Sequence, residues 1–230
     1  QSGGLVNAGT GAIRFDSGST NYNGTQLMNG NIQVGVGTHN FNDGLTINGS
    51  GNLTVIGGAT ATMNDVTLNK ALVLNSASTL SVLTGNTLTV AGGLTADTAT
   101  NDVTINGGGS LLIPTGVTAT VTGGAVAGHD FNISNITVNN QGTLNLNHQK
   151  NDSETYLEGG AVLNNSGTLS FSGLSDLLQT RGGQGSGTIN NTGNIINTTA
   201  STIFINTTTT NLQSGGLVNA GTGAIRFDSG

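Results

Sequence analysis

The strongest constraint on this fold is a long-range repeat of sequence. Residues 1–18 read QSGGLVNAGTGAIRFDSG, and residues 213–230 carry the same 18 letters 212 positions later. Identity over this length indicates a tandem array, in which one unit is followed by a copy of itself. We therefore predict that residues 1–212 form one repeat unit and that residues 213–230 begin the next identical unit. We also expect Gln1 to be internal to a longer chain, because no basic and apolar leader opens the sequence.

A second, shorter repeat runs inside the unit. Seven windows share a strand, a bend and a second strand, with apolar and polar residues alternating on both sides of the bend. Asn, Gly and Ser build the bend, because they accept positive φ or bond to nearby backbone. The windows are LTINGSGNLTV (45–55), LVLNSASTLSV (72–82), VTINGGGSLLI (103–113), ITVNNQGTLNL (136–146), AVLNNSGTLSF (161–171), GTINNTGNIIN (187–197) and LVNAGTGAIRF (217–227).

This pattern predicts an all-β chain that folds as a right-handed parallel β-helix, or β-solenoid. A single turn cannot bury its own apolar face, whereas stacked turns pair equivalent strands and close a core of Leu, Ile and Val. With about 24 to 27 residues per turn, one unit makes about eight or nine turns and advances roughly 40 Å. We expect the right-handed coil because parallel crossovers strongly prefer that hand.

An antiparallel sandwich or barrel would show a similar spacing of short strands. Such a fold has no reason to repeat one bend motif, so the recurrence favours the solenoid. The segments TATMNDVTLN (60–69) and NTLTVAGG (86–93) would then supply a third strand per turn.

Each window also places an asparagine at its bend. Stacked turns would bring these side chains together, so that their amides bond along the solenoid axis as an asparagine ladder. The residues predicted to form this structural ladder are Asn48, Asn75, Asn106, Asn139, Asn164, Asn190 and Asn219.

The composition indicates a folded chain with a largely neutral surface. Gly, Thr and Asn supply 106 of 230 residues, while Leu, Ile, Val and Phe supply 58, enough apolar surface for a core. Five basic and 11 acidic residues argue against nucleic acid and anionic lipid as partners. No apolar run reaches roughly 20 residues, so we predict no membrane insertion by this segment. The chain has no cysteine, and nothing in it indicates a cofactor.

The runs NNQGTLNL (139–146), NNSGTLSF (164–171) and NNTGNIIN (190–197) resemble the repeats of filamentous-haemagglutinin-type adhesins and autotransporter passenger domains. The resemblance covers most of the chain. It implies a right-handed β-helix at an extracellular bacterial cell surface that mediates attachment. It transfers no individual binding residue.

The densest charge lies in HQKNDSETYLEGG (148–160). As a functional loop, this segment would contact a partner or coordinate a cation through carboxylate oxygens. As a structural feature, it is a solvated excursion between two turns. No histidine pair has metal-ligand spacing, so we predict no metal site. The residues of this candidate contact loop are His148, Lys150, Asp152, Glu154 and Glu158.

A second excursion, GLSDLLQTRGGQGSG (173–187), has leucines at helical spacing and a glycine-rich exit. This spacing predicts a small side helix against the solenoid.

Two alternative functions are compatible with a solenoid. Asp43, Asp65, Asp97, Asp102 and Asp130 could meet on one face, where carbohydrate-active β-helices place paired carboxylates. These residues lie in corner sequences, where Asp is a common turn former, so we predict no enzymatic activity. Threonine pairs such as TATVTGG (118–124) suggest an ice-binding array, although we expect the threonines to shift register between turns.

We therefore expect a structural and adhesive role. The chain would be a repeat unit of an extracellular fibrous surface protein that serves as a filament, stalk or adhesin shaft. Its main partner would be itself, through end-to-end stacking of units and lateral association of rods. Neutral faces of Asn, Thr and Ser would also suit surface glycans.

Overall fold

A computed structural model describes residues 2–16, 18–123, 128–149, 153–174 and 177–228. These residues form 27 β-strands and contain no helix. The strands wind into a solenoid of about nine coils, and every pairing between them is parallel. The prediction of an all-β parallel β-solenoid with eight or nine turns is confirmed.

Three strands make one coil, and from β3 onward each strand pairs with the strand three places later. The solenoid therefore has three faces. Strands of the first face are β4 (Thr46–Asn48), β7 (Val66–Leu68), β10 (Thr87–Val90), β13 (Ser110–Ile113), β16 (Thr137–Asn140), β19 (Ala161–Asn165), β22 (Gly187–Asn191) and β25 (Thr209–Leu212).

The second and third faces are built in the same way. Strands of the second face are β5 (Asn52–Val55), β8 (Ala71–Leu74), β11 (Leu94–Asp97), β14 (Thr118–Thr122), β17 (Thr143–Asn147), β20 (Thr168–Phe171), β23 (Asn194–Asn197) and β26 (Leu217–Asn219). Strands of the third face are β3 (Gly37–Phe41), β6 (Ala59–Met63), β9 (Thr79–Val82), β12 (Val103–Asn106), β15 (Phe131–Ser134), β18 (Thr155–Glu158), β21 (Leu177–Gln179), β24 (Thr202–Asn206) and β27 (Ala224–Phe227).

The first two strands are long and bend around more than one face. They are β1 (Ser2–Phe15) and β2 (Ser19–Val34). Residues 19–22 of β2 pair with the third face, residues 26–27 with the first and residues 32–34 with the second. The strands Ala59–Met63, Val66–Leu68 and Thr87–Val90 confirm the predicted third strand per turn.

The core consists of columns of aliphatic side chains that run along the axis. Strand residues alternate between inward and outward directions, so each coil adds one layer to every inward column. One such column on the second face passes through Ile13, Ile32, Leu53, Leu72, Leu94, Ala119, Leu144, Leu169, Ile195 and Val218. Eight of its members, Ile32 to Ile195, are buried. An unbroken apolar column is the stacking that the sequence pattern predicts.

The coil length varies more than expected. Thr60 and Thr79, which pair in register, are 19 residues apart, whereas Val103 and Phe131 are 28 residues apart. The expected range of about 24 to 27 residues per turn was therefore too narrow. Corners absorb the difference, because a changed strand length would break the pairing of inward columns.

The predicted side helix is wrong. Leu177–Gln179 is a strand, and it pairs with β18 below and β24 above. Leu178 fills an inward position next to Ile205 and is buried. Pairing on both edges and burial of Leu178 outweigh the local helical spacing of leucines.

A column of asparagines replaces aliphatic side chains inside three coils. Asn140 pairs with Ile113 below it, and Asn165 and Asn191 follow above it. Each of these three asparagines is only 1% exposed. Asn140 Nδ2 donates to Asn165 Oδ1 at 2.6 Å, and Asn165 Nδ2 donates to Asn191 Oδ1 at 2.6 Å. We call Asn140, Asn165 and Asn191 the inner ladder.

The inner ladder also fastens the corners between the first and second faces. Asn140 Nδ2 donates to the Thr168 carbonyl at 2.8 Å, and Asn165 Nδ2 donates to the Asn194 carbonyl at 2.9 Å. These amides therefore tie the inner ladder to the backbone of the second face.

Replacing Asn165 with Ala should lower the free energy of unfolding by about 3 kcal/mol, because buried groups on Asn140, Asn191 and Asn194 would lose a partner. The matched control is Asn164→Ala, which removes the neighbouring but partly exposed amide and should cost less than about 1 kcal/mol, since water replaces it. Chemical denaturation of both variants measures the difference. Equal losses of unfolding free energy in the two variants would show that the buried inner ladder contributes no more to stability than the partly exposed asparagines beside it.

Candidate functional site

Three of the predicted ladder asparagines stack on the first face, directed outward. Asn164 Nδ2 donates to Asn139 Oδ1, and Asn190 Nδ2 donates to Asn164 Oδ1, both at 2.9 Å. Asn211, which the sequence pattern did not include, continues the row through a 2.7 Å bond to Asn190. We call Asn139, Asn164, Asn190 and Asn211 the outer ladder.

The other four predicted asparagines lie outside this row. The windows of Asn75, Asn106 and Asn219 occupy other corners of the coil, whereas Asn48 lies at the same corner two residues out of register with Asn139. Asn48 accepts a bond from Asn69 at 2.6 Å, also on the first face. Asn75 follows β8, and Asn106 lies on the third face opposite Ser81. Asn219 lies on the second face opposite Ile196. The seven residues thus do not form one row.

An open polar groove of about 350 Å³ lies beside the outer ladder. Its lining carries amide and hydroxyl groups and no charged side chain, which suits hydrogen bonding to a neutral polar ligand such as a glycan. The lining residues are Asn164, Asn165, Ser166, Asn190, Thr192 and Gln213.

The candidate contact loop separates into an interior part and a surface part. His148 is fully buried, and its Nε2 lies 2.9 Å from Thr155 Oγ1. Burial lowers the pKa of His148 to about 4, because an apolar surrounding disfavours the charged ring. Glu154 and Glu158 lie at the surface of the third face, whereas Lys150 and Asp152 lie outside the described residues.

A row of carboxylates marks the corner before the third face. Asp102, Asp130 and Glu154 each immediately precede a strand of that face in successive coils. Asp102 Oδ1 accepts the Asp130 backbone N–H at 2.9 Å, and Asp130 Oδ1 accepts the Glu154 N–H at 3.1 Å. The carboxylates of Asp102 and Asp130 therefore bind the backbone of the next coil.

Side chains from later coils close over this row. Arg181 Nη2 donates to Asp130 Oδ2 at 3.0 Å and to Asn132 Oδ1 at 3.3 Å. The Arg181 guanidinium also lies 3.9 Å from the centroid of the Tyr156 ring. Tyr156 and Gln179 both donate to Glu154 Oε2. We call Asp102, Asp130, Asn132, Glu154, Tyr156, Gln179 and Arg181 the third-face cluster.

The third-face cluster contains more acidic than basic side chains. Burial raises the pKa of Asp130, with Asp102 and Glu154 adding to the rise and Arg181 opposing it. Burial and the neighbouring Glu154 raise the pKa of Tyr156. Three carboxyl groups face one guanidinium, so the cluster can bind cationic or hydroxyl-rich groups but repels anions.

The structure brings together two of the five aspartates considered for catalysis, Asp102 and Asp130. Asp65 Oδ1 accepts the Thr87 N–H at 2.7 Å, and Asp97 Oδ1 accepts the Ala99 N–H at 2.9 Å. Asp43 lies in the turn after β3. These last three serve corners, as turn chemistry predicts. The described residues hold no group of three or more potential ligands placed for a metal ion.

The third face also carries a regular row of hydroxyl groups. Thr38, Thr60, Thr79 and Thr104 pair in register across four coils and point outward. The expectation that threonines shift register between turns is therefore wrong for this face. The neighbouring outward row is mixed and consists of Asn40, Thr62, Ser81 and Asn106.

A buried lysine, which the sequence analysis missed, closes the corner between the first and second faces. Lys70 is 2% exposed, and its Nζ donates to the carbonyls of Met28 at 2.9 Å and Gly30 at 3.0 Å. Burial lowers the pKa of Lys70 to about 8. Gly49 and Gly51 sit in the intervening coil, where an added Cβ would lie 2.2 Å from the Met28 carbonyl oxygen and 2.5 Å from the Gly30 one.

Comparison of the chain with protein-family models, with curated proteins and with solved structures found no match. No helix that could cross a membrane occurs in the part of the chain that the structure describes.

The free energy of unfolding should fall as the pH drops from 6.5 to about 4. In this window the unfolded chain protonates His148 while the folded chain keeps the ring neutral, so acid favours unfolding by up to about 3 kcal/mol. Chemical denaturation across this range should show a shallower decline for His148→Gln than for the unsubstituted chain.

The matched control is Gln149→Ala, which changes an exposed neighbour without an ionisable side chain and so should leave the decline unchanged. NMR titration of the His148 imidazole in the folded chain gives a direct second measurement. A midpoint near 6.5 would contradict the prediction.

Proposed function

We propose that this chain is a structural and adhesive repeat unit of an extracellular fibrous surface protein, acting as a filament, stalk or adhesin shaft. The observation that carries the proposal is the uninterrupted parallel stacking of coils over the whole described length. Parallel backbone bonds between all coils and a dry aliphatic interior give a stiff rod.

The surface is better suited to binding a polar ligand or a neighbouring rod than to catalysing a reaction. Outward positions carry mainly Asn, Thr and Ser, and the polar groove beside the outer ladder offers amides and hydroxyls in fixed positions. Such groups bond to sugar hydroxyls at modest desolvation cost. The resemblance to adhesin repeats supports the same interpretation, with a location at a bacterial cell surface and with glycans or neighbouring rods as partners.

An interior ligand site is not part of the proposal. An enclosed apolar cavity lies among Leu94, Ile105, Leu111 and neighbouring side chains, but its volume is only about 10 Å³. That space is at the lower limit for one water molecule. Binding would therefore take place on the outer faces.

Electron microscopy of the native material should reveal thin, uniform filaments with an axial rise of roughly 45 Å per unit, because one unit stacks just over nine coils at about 4.8 Å each. A chain carrying Leu169→Asp should not form them, since a charge in the second-face column breaks the core. Compact separate particles from the native material would contradict the proposal.

A second candidate function is cleavage of a carbohydrate at the third-face cluster. The observation that favours it is the juxtaposition of Asp130 with Glu154 in the next coil, where burial raises the pKa of the Asp130 carboxyl. A pair of neighbouring carboxyl groups is what acid–base cleavage of a glycosidic bond requires.

A third candidate, ice binding, is favoured by the aligned threonines Thr38, Thr60, Thr79 and Thr104. A regular ice-binding surface would need a matching second row, and the adjacent row is mixed.

We expect no loss of polymer length when the chain is incubated with neutral or acidic polysaccharides, and no thermal hysteresis in a freezing assay. Cleavage that disappears in Glu154→Gln but persists in Glu158→Gln would establish the enzymatic alternative. Thermal hysteresis that is abolished by Thr79→Arg would establish the ice-binding one.

A further inference from the structure

The two copies of the repeated segment lie at different places around the coil. In the first copy, residues 4–7 lie on the first face and residues 12–15 on the second, as their pairing with β2 shows. In the second copy, Leu217–Asn219 lies on the second face and Ala224–Phe227 on the third. The segment has moved by one face between its two occurrences.

The strand order gives the size of this shift. From Leu5, nine successive pairings along the first face lead through β2, β4 and the later strands to β25, which contains Thr210. One further strand leads to Leu217 on the second face. A unit of 212 residues therefore completes nine coils and one third of another.

Both copies keep the same Asn–Gly bend and the same ion pair despite the different corner. The Asn7 side chain accepts the Gly9 N–H at 2.9 Å, and Asn219 accepts the Gly221 N–H at 2.9 Å. Gly9 and Gly221 share a φ of 56°, a region that favours glycine. The ion pair of Arg14 with Asp16 recurs as Arg226 with Asp228. The segment therefore does not depend on which corner it occupies.

The same residues also point inward in both copies. Val6, Ile13 and Phe15 pack against the core in the first copy, and their equivalents are Val218, Ile225 and Phe227. In the last described coil Val218 and Phe227 are each 39% exposed.

The two copies together describe both neighbours of the segment in an array. The second copy shows the coil below the segment. There Val218, Ile225 and Phe227 pair in register with Ile195, Ile203 and Ile205, respectively. The first copy shows the coil above the segment. There Val6, Ile13 and Phe15 pair in register with Met28, Ile32 and Val34, respectively. Each inward column stays apolar through the junction, which is the condition for continuous stacking.

We infer that consecutive units join in one uninterrupted coil and that each unit is rotated by one face, about a third of a revolution, relative to the unit before it. This inference rests on the proposed function, since it concerns an array of units. In such an array, the open strand edges of β26 and β27 pair with the segment of the following unit that corresponds to residues 26–34, as β1 pairs with those residues here.

The rotation determines where surface features recur. The third-face cluster of one unit lies above the first face of the preceding unit, and it returns to its starting face only after three units, or 28 coils. A fibre built this way presents the third-face cluster and the polar groove in three directions in turn. A repeat with a whole number of coils would present each of them along one side only.

Disulfide cross-linking of the chain tests the shift directly, because the sequence has no cysteine of its own. The rotated arrangement pairs Asn219 with Ile196 on the second face, so Asn219→Cys with Ile196→Cys should oxidise to an intrachain disulfide. A whole-coil repeat would instead place Asn219 on the first face above β22, within reach of Asn190. In the rotated arrangement Asn219→Cys with Asn190→Cys should therefore fail to oxidise.

Asn211→Cys with Asn190→Cys is the positive control, since these residues pair in register on the first face. Thiol labelling and intact mass measure the yield. Cross-linking of the Asn219 and Ile196 pair, with none for Asn219 and Asn190, supports the rotation. The reverse pattern, or failure of the Asn219 and Ile196 pair while the control succeeds, overturns it. Failure of the fibre proposal would appear separately, as an absence of filaments from the native material.

Discussion

Every coil of this protein is stable only because another coil lies on it. Each strand of three to five residues pairs with its equivalents above and below, so that its backbone groups are hydrogen-bonded along the axis. Its inward side chains pack in columns against those of the neighbouring coils. The second-face column from Ile32 to Ile195 shows the consequence, since each member is buried by its neighbours in the column and by the other two faces. The columns are therefore constrained, while the corners and outward positions are free to vary in length and chemistry.

The inner ladder shows how far this constraint extends. Buried asparagines would be unfavourable singly, because an amide left without partners inside the core is expensive. In Asn140, Asn165 and Asn191 the amides bond to one another and to backbone carbonyls at the corner, and these bonds offset the cost of burying the row. Each asparagine in the row thus depends on the next coil, as the aliphatic residues do.

Sequence periodicity was sufficient to predict the strands, the parallel stacking and the number of turns, because alternation and Asn-Gly bends are local signals. It could not assign a window to a corner. LTINGSGNLTV turns from the first face to the second, whereas LVLNSASTLSV turns from the second to the third and VTINGGGSLLI from the third to the first. Since all three corners use the same bend chemistry, the predicted asparagines were placed in one row that the structure divides.

The residues missed by the sequence analysis share one property, which is that their roles depend on contacts with another coil, one or two coils away. The doublets Asn139–Asn140, Asn164–Asn165 and Asn190–Asn191 did contain a usable signal, because two adjacent strand residues must point to opposite sides. Arg181 gave no such signal, since it reaches Asp130 across 51 residues. Lys70 likewise reaches back 42 residues to Met28, through space that Gly49 provides.

The third-face cluster illustrates what the corners of a solenoid can do that its columns cannot. Stacking places residues of successive coils about 4.8 Å apart, so a row of carboxylates such as Asp102, Asp130 and Glu154 brings like charges close together. Backbone N–H groups of the following coil and the Arg181 guanidinium offset that repulsion. A site of this kind needs side chains from at least four coils, and so it exists only while the stack is intact. A unit ends one face away from where it began. Continuous stacking therefore places the same site on a different face of the rod in each successive unit. The number of residues per unit thus determines the directions in which the fibre presents the site.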